Sequence, residues 1–253
     1  MTDLSRAVEQ LGPWFHNLHL PDGSQTCPNH SLGDFPNFKW QKLHAFFPTD
    51  LRGATVLDIG CNAGFYSIEF ARRGAVVTAI DVDEHYLAQA RWASGVFGVS
   101  DRITFQQAQV YSLSRADRRW DIVLFLGVLY HLRYPMLGLD IVSRCVGKQL
   151  VVQSLSAPVE ERFVVPEDLE LSHRAPLSEP GWPKLSFIEH RLAGDRTNWW
   201  AANPQCLEAM LRSSGLRIVA VPLHEFLMCE PDPASNTSIW SWNTDEYLAA
   251  TGQ

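Results

Sequence analysis

The chain has 253 residues, of which 46% are hydrophobic and 19% charged, a balance that fits a globular protein able to bury a large core and excludes a disordered or low-complexity one. Net charge is −7 with only four lysines, which speaks against a nucleic-acid binder with a basic face. No apolar run approaches the ~20 residues of a membrane span. The N-terminus lacks a signal-peptide core, and the five cysteines (27, 61, 145, 206, 229) are scattered without a Cys-x-x-Cys pair. A reducing cytoplasm is the setting these features imply, with no disulfide framework, zinc site or membrane contact expected.

In chain order, residues 1–20 read as a helix closed by the turn signal Pro21-Asp22-Gly23, and residues 24–34 as irregular. Phe38, Leu43, Phe46 and Phe47 recur at helical spacing, with Pro48 as the stop. An α/β rhythm starts at Ala54. Strand Thr55–Ile59 leads to a helix over Phe65–Arg73 capped by Gly74, and strand Val76–Ile80 leads to a helix over Glu84–Phe97. Strand Ile103–Gln106, strand Ile122–Leu126, a helix around Met136–Cys145 and strand Gln149–Gln153 follow. Near-continuous apolar runs such as Ile122–Leu126 fit strands covered on both faces. The rhythm breaks at 155–200, a stretch with five prolines and the aromatics Phe163, Trp182, Phe187, Trp199 and Trp200, read as an insertion with some structure of its own. It resumes with a helix from Asn203-Pro204 through Arg212, strand Leu216–Val221 and a last strand over Glu225–Cys229. Trp240, Trp242 and Tyr247 predict a docked tail. The basic clump Arg115, Arg118 and Arg119 reads as a solvated loop.

The expected architecture is α/β, a Rossmann-like, doubly wound, mostly parallel seven-stranded sheet. Residues 1–50 form an N-terminal helical extension or lid and 51–154 the nucleotide-binding core. Residues 155–200 form an insertion after the fifth strand that covers substrate, and 201–253 complete the core sheet and tail.

Residues 56–64, Val-Leu-Asp-Ile-Gly-Cys-Asn-Ala-Gly, carry the densest chemistry. A strand runs into a glycine-punctuated turn and a helix, and the next strand delivers Asp81, whose carboxylate can accept hydrogen bonds from two ribose hydroxyls. Gly60 permits the sharp turn and Gly64 lets a helix begin close to the strand. A dinucleotide site needs Gly-x-Gly-x-x-Gly around its pyrophosphate; here Asn62 stands at the second glycine place. Asp58 before the turn would repel a pyrophosphate but suits a ligand carrying an ammonium and a sulfonium. The pattern Asp-x-Gly-x-x-x-Gly resembles motif I of the class I S-adenosylmethionine (SAM) methyltransferases. The expected cofactor set is Asp58, Gly60, Cys61, Asn62, Gly64, Phe65, Asp81, Val82 and Gly127, with Trp40 from the N-terminal extension. Gln109 and Val110 stand where an adenine could be read, although a surface glutamine is an equal reading of Gln109.

Gly127-Val-Leu-Tyr130-His131 follows the fourth strand, in a loop that faces the cofactor crevice of a doubly wound sheet. Gly127 allows close approach of the methionine part of the cofactor. His131 has a side-chain type that titrates near neutrality and could act as base, or it could cap the following helix or bond a core carbonyl. Tyr130 and His16 join it as catalytic candidates. His19, Tyr130, His131, Trp199 and Trp200 are the substrate candidates. Trp40 could instead pack the N-terminal helix onto the core. His16, His19, Asp22 and His30 invite a metal reading, but their spacing does not fit one helix face and no metal is expected.

Pro13-Trp14-Phe15-His16, Phe38-Lys39-Trp40, Val56–Asn62 and Gly127–His131 together resemble the tRNA wobble-uridine carboxymethyltransferase family and its unassigned methyltransferase relatives. The likeness covers about 11–153 and returns in Asn203–Val221. It implies a Rossmann-like methyltransferase domain with an N-terminal helical extension over the cofactor. Family members that use carboxylated SAM have a lysine where His16 stands, and an arginine-rich run where this chain has Asn236–Trp240. Ordinary SAM and a small-molecule methyl acceptor are therefore the leading expectation. A tRNA-modifying methyl- or carboxymethyltransferase is the second, and a catalytically silent SAM-fold module that binds a partner the third. Oligomeric state is not legible.

Overall fold

The structure, a computed structural model, describes residues 3–235 and 238–253, with the side chains of 238–242 outside the described set. Trp240 and Trp242, expected to dock the tail, and part of the Asn236–Trp240 stretch thus lie outside the described residues. The chain divides into two compact units, 1–124 and 125–253.

The first unit opens with α1 (Asp3–Gln10) and α2 (Asn37–Leu43), the latter drawn out by a 3-10 turn over His44–Phe46. The rhythm then runs β1 (Thr55–Ile59), α3 (Phe65–Arg72), β2 (Val76–Asp81), α4 (Glu84–Val96), β3 (Ile103–Gln107) and β4 (Trp120–Leu126), whose last two residues open the second unit. The predicted helix over 1–20 stops at Gln10. Pro13, Pro21, Pro28 and Pro36 interrupt the stretch that follows, and a proline inside a helix removes a backbone donor and clashes with the preceding turn. Side chains hold this stretch instead. Thr26 Oγ1 accepts from Leu18 N at 2.8 Å and donates to the His16 carbonyl at 2.7 Å. The Asn17 amide donates to Gln25 and to Asp34.

The second unit contains α5 (Pro135–Cys145), β5 (Val146–Gln153), β6 (Leu185–Phe187), β7 (Trp200–Ala202), α6 (Pro204–Ser213), β8 (Leu216–Leu223), β9 (Phe226–Pro231) and α7 (Ser238–Thr251). The insertion does carry structure: Leu185, Ser186 and Phe187 pair antiparallel with Ala202, Ala201 and Trp200. The tail is a helix, and its Tyr247 is buried with the Arg144 guanidinium 4.0 Å from its ring centre. The Asn203 side chain caps α6 by accepting from Cys206 N at 2.9 Å, and Pro204 fills the first helical position, where a missing N–H costs nothing.

The main sheet has seven strands in the order β3-β2-β1-β4-β5-β9-β8. β1 and β2 pair in parallel, as do β2 and β3, while β9 runs antiparallel to both β5 and β8. Strands covered on both faces are buried almost throughout. In β4 the run Ile122–Phe125 is buried, and in β5 Leu150–Gln153 is. The edge strand β8 alternates instead, with Arg217, Val219 and Val221 exposed. Phe70, Leu57, Ile59, Ile80 and Leu87 are fully buried in the first unit; Phe125, Phe226, Leu139 and Ile141 are in the second. Among the described residues no helix is long and apolar enough to cross a membrane.

Candidate functional site

In the first unit the glycine turn is tied to the end of β2. The backbone N–H groups of Gly60 and Cys61 both donate to the Ile80 carbonyl, at 2.8 and 3.0 Å. Asn62 takes a left-handed conformation at φ 50° and donates its N–H to Asp81 Oδ2 at 2.9 Å. The other Asp81 oxygen accepts from Asp83 N at 2.9 Å. Asp81 therefore braces the turn after β1 as well as the turn after β2, and the side chain is 8% exposed. Gly64 caps α3 at φ 79°, where a Cβ would lie 3.0 Å from Ala90 Cβ. The close neighbour that demands glycine is thus α4.

Asp58 is 2% exposed and accepts a 2.5 Å hydrogen bond from Ser67 Oγ, on the first turn of α3. Burial, with the Asp81 charge adding, pushes its carboxyl up to about 6 against the Ser67 hydrogen bond. Burial also raises Asp81, countered by the backbone N–H groups of Asp83, Asn62 and Val82. Among the described residues no lysine or arginine pairs with either carboxylate. Cys61 is buried and its thiol lies well above its usual range, chiefly from desolvation, so it is no nucleophile. Phe65 is buried at the start of α3, while Val82 is exposed. Gln109 is exposed at the head of a 3-10 turn with Val110 buried behind it. This placement suits either reading of the glutamine.

His16 is 6% exposed, and its Nδ1 is buried without a hydrogen-bond partner. Its ring lies 5.6 Å from Phe35 and 6.4 Å from Phe65. Burial, helped by His30 and Lys39, lowers it to about 3, so the imidazole is neutral at physiological pH. His19 is held by Asp34 at 2.8 Å and is half exposed. Trp40 packs on Phe47 and Phe70, with the Arg73 guanidinium 4.7 Å from its ring centre, the packing arrangement the sequence left open. His19, Trp40 and Phe65 line one cavity of about 250 Å³ together with Leu18, Glu69 and Arg72. Among the described residues no three His, Cys, Asp or Glu side chains cluster as metal ligands.

In the second unit Gly127 sits at φ 74° and donates its N–H to the Gln153 carbonyl at 3.0 Å. Tyr130 and His131 lie on the 3-10 turn that follows, with ring centres 4.2 Å apart. Burial, with Glu225 and Asp195 adding, pushes the Tyr130 phenol up to about 12. His131 does not cap α5; its Nδ1 stands 2.9 Å from Thr197 Oγ1 and 3.2 Å from the Thr197 carbonyl. Trp199 N donates to the Tyr130 carbonyl and Trp200 Nε1 to the Leu132 carbonyl, so the insertion is stitched to this turn. Arg133 stacks over Trp199 and Phe187. Sequence reasoning missed Ser67, Thr197 and Asp195. Only Ser67, one helical turn past the motif, left a local signal.

The sequence of residues 56–146 matches the model of a methyltransferase domain family. The tRNA U34 carboxymethyltransferase of Idiomarina loihiensis is 26% identical over 97% of this chain and 68% of its own. Among solved structures, the N-terminal domain of EvdMO1 in the presence of SAH and D-fucose aligns with TM-score 0.63 over 92% of this chain and 97% of that one, at 18% identity. Magnesium protoporphyrin IX methyltransferase from Synechocystis PCC 6803 with bound SAM aligns with TM-score 0.51 over 78% and 77%, at 17% identity. At these identities the structural likeness speaks for the fold alone, and the domain match covers residues 56–146, with motif I inside it. Residues 56–146 of this chain carry a methyltransferase domain.

The residues around the turn fit a ligand of the kind found with the EvdMO1 domain and the magnesium protoporphyrin IX methyltransferase, SAH or SAM. S-adenosylmethionine carries an ammonium, a sulfonium and a ribose. The turn supplies two buried carboxylates with no cation beside them among the described residues, and burying charge in that way is costly until a positive ligand arrives.

Proposed function

We propose that the methyltransferase domain passes a methyl group to a small-molecule acceptor, with His131 taking the acceptor's proton. Bound S-adenosylmethionine supplies an electrophilic methyl carbon. Asp81 receives the ribose hydroxyls while its two backbone hydrogen bonds keep it aimed, and Asp58 faces the ammonium. Val82 and Phe65 border the nucleoside, and Gln109 with Val110 reads the adenine. Gly127 leaves room for the methionine part. Tyr130 stays a phenol and orients the acceptor, and Trp199 and Trp200 wall it. Much of the rate in such a displacement comes from positioning, so His131 is needed where the accepting atom carries a proton.

The observation that carries the choice of donor is His16. A carboxylated donor needs a cation, and this imidazole is buried, neutral and flanked by Phe35 and Phe65. The net charge of −7 favours a small acceptor over a polyanion. The 26% likeness to a tRNA U34 carboxymethyltransferase favours a second reading, a tRNA acceptor. Incubation with methyl-labelled SAM and a fractionated cell extract separates the two. Label in the small-molecule fraction supports the proposal; label in tRNA alone overturns it.

A further inference from the structure

The insertion places a hydroxyl and a carboxylate in series behind His131. Thr197 Oγ1 lies 2.9 Å from His131 Nδ1 and 2.7 Å from Asp195 Oδ1, and Asp195 Oδ1 also accepts from Thr197 N at 2.7 Å. The carboxylate only accepts when ionised, so the Thr197 hydroxyl gives its proton to Asp195 and presents lone pairs to the imidazole. The Thr197 carbonyl, 3.2 Å from the same nitrogen, is also only an acceptor. Two acceptors facing Nδ1 require that Nδ1 carry the proton. In the neutral ring Nε2 is then bare.

We infer that Asp195 and Thr197 are positioning residues that lock His131 as the Nδ1–H tautomer, so that Nε2 is the atom that removes the acceptor's proton. The inference rests on the base role proposed above for His131. The acceptor's lone pair forms the new bond to carbon, the C–S electron pair stays on sulfur, and the acceptor's proton passes to Nε2. The resulting imidazolium lies with its Nδ1 3.9 Å from Asp195 Oδ2, close enough for that carboxylate to stabilise it before the proton leaves to water. The arrangement uses a hydroxyl between histidine and carboxylate where a hydrolase triad places them in direct contact. It explains why a segment 66 residues further along the chain is fastened to the turn after β4 by the Trp199–Tyr130 and Trp200–Leu132 hydrogen bonds.

Among the described residues the charged and titratable groups around this ring are few. Asp195 faces it from the insertion, and Tyr130 lies against it from its own turn. Arg133, two residues on, is turned to Trp199 and Phe187, and Glu225 acts on Tyr130. Desolvation lowers His131 and Asp195 raises it.

The test is nitrogen NMR of the full chain carrying ¹⁵N-histidine, with the His131 signals assigned by their loss in His131→Gln. The expected wild-type ring at pH 8 has a protonated Nδ1 and a bare Nε2. Thr197→Val shifts the ring toward the Nε2–H form and Thr197→Ser restores it. Asp195→Asn moves the His131 titration midpoint to lower pH, because a carboxylate that favoured the imidazolium is gone. The other eight histidines report that the fold is intact. A wild-type ring in the Nε2–H form overturns the inference, and so does a tautomer indifferent to both Thr197→Val and Asp195→Asn. The base role itself fails separately, if His131→Gln transfers labelled methyl into the small-molecule fraction at the wild-type rate.

Discussion

With the ammonium of SAM at Asp58 as proposed, affinity should depend on pH with a sign set by the burial of that carboxyl. Its carboxyl is moved by burial from 3.8 to about 6. At about 1.36 kcal/mol per pH unit, ionising it inside the folded protein costs about 3 kcal/mol more than in the unfolded chain. The folded state binds the extra proton between pH 3.8 and about 6, so this contribution to stability is complete below that window and is lost as pH rises through it. A cationic ligand beside Asp58 reverses the balance, because the ionised form then has a partner. SAM affinity should therefore climb as pH rises from 5 to 7 and level off above. The ceiling is the whole shift, a factor on the order of 100 in the dissociation constant. Below about pH 6 binding should release a fraction of a proton, read by calorimetry in buffers of different ionisation enthalpy. Asp58→Asn should bind more weakly at pH 7 and lose most of the slope, leaving the part due to Asp81. A dissociation constant that stays flat between pH 5 and 7 in the folded wild-type protein would refute the placement of the ammonium at Asp58.

Asp81→Ala removes the acceptor of the Asn62 and Asp83 backbone N–H groups together with the proposed ribose contact, and calorimetry should show SAM affinity reduced about 10- to 100-fold. Gly64→Ala meets both a left-handed backbone and the Ala90 methyl at 3.0 Å, and urea denaturation should show a loss of about 1–3 kcal/mol. Trp40→Ala empties a buried aromatic site against Phe47 and Phe70 and should cost about 3–5 kcal/mol in the same assay, whatever it does to SAM binding.

The strands, the glycine turn and the two acidic positions could be read from sequence because each depends on residues within a few positions of one another. The run Ile122–Phe125 is buried on both faces and is apolar on both, so its period hardly matters. The N-terminal stretch misled for the opposite reason. Leu11, Leu18 and Leu20 continue the apolar spacing of α1, but Pro13 stands between them, and what organises this segment is Asn17 bonded to Gln25 and Asp34. The surroundings of His131 were illegible for want of locality. Nothing near residue 131 announces that residues 195 and 197 stand behind its ring, and a Thr or Asp in a polar loop has no signature of its own. The same holds for Trp40, whose neighbours Phe47, Tyr66, Phe70 and Arg73 turn a plausible cofactor aromatic into a packing centre for α2 on α3.

The titration behaviour of the two units argues for a division of labour that neither fold nor motif imposes. Around the turn of the first unit, His16 is lowered to about 3, and the Cys61 thiol and Tyr66 phenol are raised far above neutrality, all chiefly by desolvation. None of them can exchange a proton near pH 7 at low cost. Asp58, raised to about 6, comes close, and the same burial that raises it makes it a partner for a cation. A site built this way holds charge and does not shuttle protons. His131 differs because its surroundings oppose one another: desolvation lowers it, and Asp195 and the Thr197 backbone push the other way. A base works best when its pKa lies near the working pH. That balance is supplied by the insertion, since Asp195 and Thr197 both belong to it. Replacing the insertion should therefore change which acceptors lose a proton during transfer while leaving SAM binding to the first unit's turn as it was.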